Sequence, residues 1–333
     1  ATANGYSASG GAMSIMINSV IRNNLIKYNA SVNSFHQAHG GAIVLKKLNG
    51  PPISCAIDNN TIRYNKTVGT NGSFGAGVAA FEEVSLNILN NDFVNNLAIS
   101  EDYAKGAAVF VFRPENGMLI ENNRFENNSC VADYCLGGAI LLQQTGRVEI
   151  YNNEFYSNTL NAEEFSGGGA LWLNMYNDAV DLKGNRFEFN EAGNNSLGGA
   201  IGIINLDTYP LNLDKNRFIE NSAREGAGLW LYNAYRVNLC NNAFLRNEAY
   251  YMGGAIRFAD NNANNLLNLD VFDIEENTSF ISRAVYRPVI SNNNFVGNSS
   301  FKGGAIYTDH EDNVPVIFNS IFCRNSAMIG VDV

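Results

Sequence analysis

Apolar residues along this chain recur two apart in short runs, with polar residues between the runs. Ile43 and Leu45, Ile140 and Leu142, and Leu171 and Leu173 form one set, and Val148 and Ile150, Val180 and Leu182, and Val237 and Leu239 form another. Such alternation over four to six residues, bounded by Asn and Gly, predicts strands, and no helical period of 3.6 competes with it. Two markers punctuate the strands. The first reads Gly-(Gly/Ala)-(Ala/Gly)-aliphatic and starts at Gly10, Gly40, Gly75, Gly106, Gly137, Gly168, Gly198, Gly226, Gly253 and Gly303. The second reads Asn-x-(Phe/Ile)-x-x-Asn. Its large apolar residue is Ile26, Ile62, Phe93, Phe125, Phe155, Phe187, Phe218, Phe244, Phe295 or Phe322. The two alternate strictly, ten times each, and Gly75, Gly106, Gly137 and Gly168 lie 31 residues apart.

A unit of this size, with short strands and corners, cannot bury its own apolar face, but copies stacked at about 4.8 Å per layer can. The expected fold is therefore all-β: a right-handed parallel β-helix of about ten coils, since parallel crossovers are nearly always right-handed. Residues 1–333 read as one such domain, with a long loop insertion at about 260–287. The first Gly of the marker suits a corner with positive φ. The next two positions admit only Gly or Ala, which implies close backbone approach. Two residues before the Phe, Asn91, Asn123, Asn153, Asn216 and Asn242 belong to a series that is Asn in nine copies of ten. Asn tolerates the left-handed conformation, and stacked amides can hydrogen-bond from coil to coil. Phe93, Phe125, Phe155, Phe187, Phe218 and Phe244 then form an aromatic column in the core.

Composition narrows the function classes. The chain has 53 Asn and 31 Gly against 6 Pro, 16% charged residues and a formal net charge of −10. The many Asn and Gly fit recurring turns. The acidity and the lack of basic clusters disfavour nucleic acid as a partner. No run of about 18 apolar residues predicts a membrane span. The opening Ala-Thr-Ala-Asn-Gly fits a mature end left after removal of a signal, hence a secreted or cell-surface protein.

Alternation of Gly-Gly-Ala-(Ile/Leu/Val) with Phe-x-x-Asn over residues 10–325 resembles the repeat of the chlamydial polymorphic membrane proteins, autotransporter passengers that act as adhesins. The resemblance implies a right-handed parallel β-helix, export and surface exposure, and it brings no catalytic residues. No series of alternating ten-residue strands of the membrane-barrel type follows Asn325.

Several residues stand outside the repeat. The outward position between the two apolar residues after the glycines is Phe110, Trp172, Trp230 and Tyr307 in alternate coils, with Leu141, Gly202 and Arg257 between them. These aromatics predict an exposed contact stripe for a partner or glycan. Cys130 and Cys135 are expected in one inter-coil loop as a disulfide, which suits an exported chain. Cys55 is expected as a buried free thiol, and nothing pairs Cys240 with Cys323. Among the glycosylation sequons, Asn71, Asn194 and Asn277 fall in loops and are the better candidates. The insertion carries Asp260, Asp270, Asp273, Glu275 and Glu276 without the calcium-loop pattern, and Asp309-His310-Glu311-Asp312 reads as a solvated turn. Parallel β-helix enzymes converge carboxylates from adjacent coils on one bond. Here carboxylates are sparse and occupy no repeated outward position, so neither enzyme activity, cofactor nor metal is expected. The tail Ser-Ala-Met-Ile-Gly-Val-Asp-Val resembles the opening of an eleventh coil. With neither end capped in sequence, the leading expectation is an extracellular filament subunit that self-associates head to tail. The alternative is an adhesin passenger fragment.

Overall fold

The computed structural model describes residues 2–3, 7–114, 116–175, 178–204, 209–234, 236–259, 287–309 and 314–330. The stretch 260–286, which holds nearly all of the expected insertion together with Asn277 and the acids from Asp260 to Glu276, lies outside the described residues. So do His310, Glu311 and Asp312.

One coil shows the plan. After Gly137 the chain forms face 1 (Ile140–Thr145), face 2 (Val148–Tyr151), face 3 (Glu154–Tyr156) and face 4 (Thr159–Gly167), and Gly168 then opens the next coil. Every strand pairs in parallel with its equivalents in the coils on either side, so that Phe125 faces Phe155 and Phe155 faces Phe187. Faces 1, 2 and 3 are each ten strands deep, and the fourth sheet, which includes extra short limbs, has fifteen. The result is a parallel β-solenoid of about nine complete turns.

The interior is a single apolar cluster from Ile21 to Ile306. Its axis is the Phe column. Rings from Phe93 to Phe322 stack layer on layer, for example Phe125 on Phe155 at 4.9 Å and Phe155 on Phe187 at 4.6 Å, with planes 8° and 5° apart. Centroid separations well above ring thickness mean offset stacking, which adds about 0.5–1.5 kcal/mol per pair beyond the burial itself. Cys55 lies in the same cluster, buried and free.

Two amide ladders flank that column. Asn123, Asn153, Asn185 and Asn216 form part of the first, at the corner between faces 2 and 3. Asn128, Asn158, Asn190 and Asn221 form part of the second, at the corner between faces 3 and 4. Each is almost wholly buried. The backbone N–H and Nδ2 of Asn153 both donate to Oδ1 of Asn185, at 2.9 and 3.0 Å, and Nδ2 also donates to the Ile120 carbonyl at 2.9 Å. The side chain thereby satisfies corner groups that no strand pairing could reach. The left-handed residue of the turn is not the ladder Asn itself, as expected from the sequence, but the one before it: Asn90, Asn122, Asn152, Gly184 and Lys215 all have φ between 55° and 68°. The ladder residue must aim its amide along the rod, so the backbone reversal falls one residue earlier.

Gly168 shows why the third corner is glycine. Its φ is +66°, and a Cβ there would sit 2.2 Å from the Leu171 carbonyl oxygen. At Gly169 an added Cβ would lie 2.0 Å from the Gly199 oxygen of the next coil, so contact between layers excludes a side chain.

Face 4 changes width along the rod. The strand is nine residues long at Thr159–Gly167 but four at Ser222–Glu225. Where it is long it bends, and a satellite cluster of small residues, including Ala98, Ala104, Cys130, Cys135 and Leu160, fills the bend.

Candidate functional site

The aromatic positions after the glycines do not form an exposed stripe. Trp172 is 0% exposed, Trp230 2% and Phe110 4%, and only Tyr307 is partly open. The cause is the path of face 4. Outward residues at or near its end lie beside the outward position of face 1, and the two rows cover each other across the Gly corner. Phe74, Leu136, Phe165 and Leu197 from face 4 thus join Val44, Phe110, Leu141, Trp172 and Trp230 from face 1 in a second apolar cluster outside the tube. Trp172 and Trp230 stack at 6.0 Å although one coil lies between them. That coil contributes Gly202, where a Cβ would meet the Trp172 ring at 2.3 Å. Gly167 is confined in the same way, at 2.1 Å. The glycine between the two tryptophan layers is therefore a packing requirement, leaving room for the indole.

The cluster ends against an ionisable side chain at both extremes. Toward the first coils, His39 stacks on Phe74 at 5.1 Å and meets Phe81 edge-on at 4.8 Å. Burial, with the nearby Lys46 adding to it, pushes this imidazole down to about 4. Toward the last coils, Arg257 is buried, bridges Glu225 and Asp309, donates to the Phe258 carbonyl and lies over the Tyr307 ring. These contacts between residues far apart in sequence have no signature in the repeat. Asp309, expected in a solvated turn, is the outer partner of that arginine.

Carboxylates do share an outward position after all. On face 2, Glu149 and Asp181 are direct register partners, and Arg147 reaches both, at 2.8 and 3.3 Å. Asn212 donates to Asp181 at 2.8 Å. Burial and these two acids raise the Tyr151 hydroxyl, and the same acids hold Arg147 above its usual value. With its carboxylates bridged by a guanidinium, the cluster reads as a surface ion network rather than a free acid and base. Among the described residues, no group of three or more His, Cys, Asp or Glu is placed to hold a metal ion.

The expected Cys130–Cys135 bridge is not formed. Both thiols are free, and they lie not in a loop but in one strand, Ser129–Leu136. Cys130 stacks between Ala98 and Leu160, and Cys135 between Ala104 and Ser166, so each occupies its own inward column. Cys130 contacts the Gly137 carbonyl through sulfur, and Cys135 those of Ala132 and Asn161. Burial pushes the Cys135 thiol up to about 12 and that of Cys130 well above its ordinary value.

Of the sequons, Asn71 and Asn194 are exposed, whereas Asn65 and Asn298 are ladder residues sealed in the corner. No helix among the described residues is long and apolar enough to cross a membrane.

A family model described as a right-handed β-helix region matches residues 54–244 and 134–276. Neither the curated proteins nor the solved structures gave a match. The matched stretch holds the central coils, with their Gly corners, Phe column and both amide ladders, and the chain belongs to the right-handed β-helix family.

Proposed function

We propose that the protein is a non-enzymatic structural rod, displayed outside the cell, whose coils stack end-on with a second copy to build a filament. The observation that carries the reading is the sameness of its layers. The first and last described coils present the same columns in the same register: Ile26 and Phe322 in the core, Asn29 and Asn325 in the second ladder. The face of one is thus the steric and hydrogen-bonding complement of the face of the other. Core-column side chains are only partly covered at both, Met13 and Ile15 at one and Ile317 and Phe322 at the other. A heterologous contact of this kind does not close, so it extends. Electron microscopy and sedimentation of the purified chain over a range of concentrations test it. Rods lengthening with concentration are the expected result, and a single monomeric species throughout would refute it.

A second reading, an adhesin of the polymorphic membrane protein type, draws on one surface feature. Tyr28 and Tyr64 stack in adjacent coils at 5.3 Å, are exposed, and carry Lys27 and Arg63 over their rings. Both occupy the positive-φ turn position before the second ladder, which is Asn95 and Asn127 in the next two coils and Phe189 or Arg246 farther along, so the conformation belongs to the corner and the exposed paired rings alone carry this reading. Loss of binding to host cells or glycans in Tyr28→Asn/Tyr64→Asn, with the fold intact, is the outcome that favours this reading.

A further inference from the structure

Among the described residues, face 3 differs from the other three in being unobstructed. Every strand on it is three residues long and pairs without a register shift from Leu25–Lys27 to Ile321–Cys323. Both of its edges are amide-ladder corners of fixed length, whereas loops of variable length follow face 1 and face 4 widens and narrows. A second flat surface can therefore approach face 3 along its whole height.

The outward residues of this face carry a charge pattern. Each strand presents two, and the first of them reads Asp92, Arg124, Glu154, Arg186 in four successive coils, all exposed and in direct register. Within one chain Arg124 is paired with Glu126 and Arg186 with Glu188 of its own strand, and the alternation also sets opposite charges on neighbouring strands, worth about 0.2–1 kcal/mol per pair. It has a second property. Turned over about an axis parallel to the strands, midway between the Arg124 and Glu154 layers, the column is its own complement. Arg124 then meets Glu154 of the other copy, Asp92 meets Arg186, and each contact occurs twice by symmetry. A slip of one layer in either direction sets Arg124 against Arg124 with Asp92 against Glu154, or Glu154 against Glu154 with Arg124 against Arg186, where only Asp92 facing Arg217 is favourable. The pattern thus specifies one register and rejects its neighbours.

We propose that face 3 is a lateral docking surface for a second, antiparallel copy of this chain, registered by the Asp92–Arg124–Glu154–Arg186 column. The overlap spans eight coils, about 38 Å at the inter-strand spacing, and about 10 Å across the three-residue strands. A patch on the order of 400 Å² per partner falls below the standard interface, so the pairing is weak, dependent on concentration and sensitive to salt. It does not depend on end-on stacking. A lateral pair stops at two rods and dissolves as salt screens the charges, whereas apolar end contacts form an open series that salt does not dissolve.

The test is sedimentation and light scattering of the whole chain in about 0.01 M and about 1 M salt, between which the screening length falls from about 30 Å to about 3 Å. The expected result is a dimer at low salt that separates at high salt. Arg124→Glu puts like charges together at two of the four contacts, and it should weaken the dimer about tenfold or more. The deciding variant is the swap Arg124→Glu/Glu154→Arg. It restores every contact between the copies while placing like charges side by side within each chain, next to Asp92 and Arg186. Recovery of the dimer, with far-UV circular dichroism showing both variants folded, supports the proposal. A swap variant that stays monomeric while folded overturns it, as does a wild-type chain with no salt-sensitive dimer, because the column then serves only its own rod.

Discussion

Removing one amide from the second ladder should cost far more than removing one from the surface. Asn158 donates Nδ2 to the Phe125 carbonyl at 2.9 Å and to Oδ1 of Asn190 at 3.0 Å, and its backbone N–H also donates to that oxygen. Its own Oδ1 accepts from the backbone N–H of Asn128 at 3.1 Å and from Nδ2 of Asn128 at 3.0 Å. Asn158→Ala leaves the Phe125 carbonyl and the Asn128 amide without these partners in a fully buried corner. Each orphaned buried group costs about 1–3 kcal/mol, so the variant should lose about 2–6 kcal/mol. Asn161→Ala, three residues away at an exposed side chain, should stay within about 0.5 kcal/mol. Urea unfolding of the two variants measures the contrast. Amide hydrogen exchange would localise it, with protection falling first at Asn128 and Phe155 and their neighbours, since a repeat rod need not unfold in one step. If the two substitutions destabilise equally, the ladder is ornamental and the satisfaction argument fails.

The Phe column offers a second check: Phe155→Ala should lose about 3–5 kcal/mol in the same unfolding assay, because rings on both sides hold the cavity open. Both tryptophans should emit as buried indoles and resist acrylamide, and Gly202→Ala should disturb Trp172 emission because the new methyl occupies the ring's space. His39 has a folded value near 4 against an ordinary 6.5, so the unfolded chain binds the proton more readily. Stability is fully present above about pH 6.5 and declines toward pH 4, by at most about 3 kcal/mol, and His39→Gln should flatten that part of a denaturation-versus-pH curve. A thiol reagent should modify exposed Cys323 quickly and leave Cys130 and Cys135 unmodified until the chain is denatured.

What could be read from the sequence was whatever repeats. The Gly corners, the Phe column and the first amide series recur at fixed spacing, and the same position in every coil meets the same neighbours, so periodicity alone located them. The exterior is different. Trp172 looked solvent-facing because strand alternation reports only inside or outside the tube, and it cannot show that face 4 doubles back to bury an outside position. The room left by Gly167 and Gly202 depends on two adjoining coils at once. The pairing of Glu149 with Asp181 leaves no sequence signal because acid and acid occur there in two coils only. Cys130 and Cys135, close in sequence, read as loop partners because face 4 runs as one long strand in only two coils, Ser129–Leu136 and Thr159–Gly167. In each case the missing information is a contact between layers at a position the repeat leaves free.

The amide columns also give the rod a sense. In both, every carboxamide presents its oxygen to the coil before and its nitrogen to the coil after. Their dipoles therefore add along the axis, much as peptide dipoles do in a helix. A layer laid upside down would set oxygen against oxygen at one end and nitrogen against nitrogen at the other, so any coil joining the rod must keep its orientation, and the two ends of the rod differ chemically.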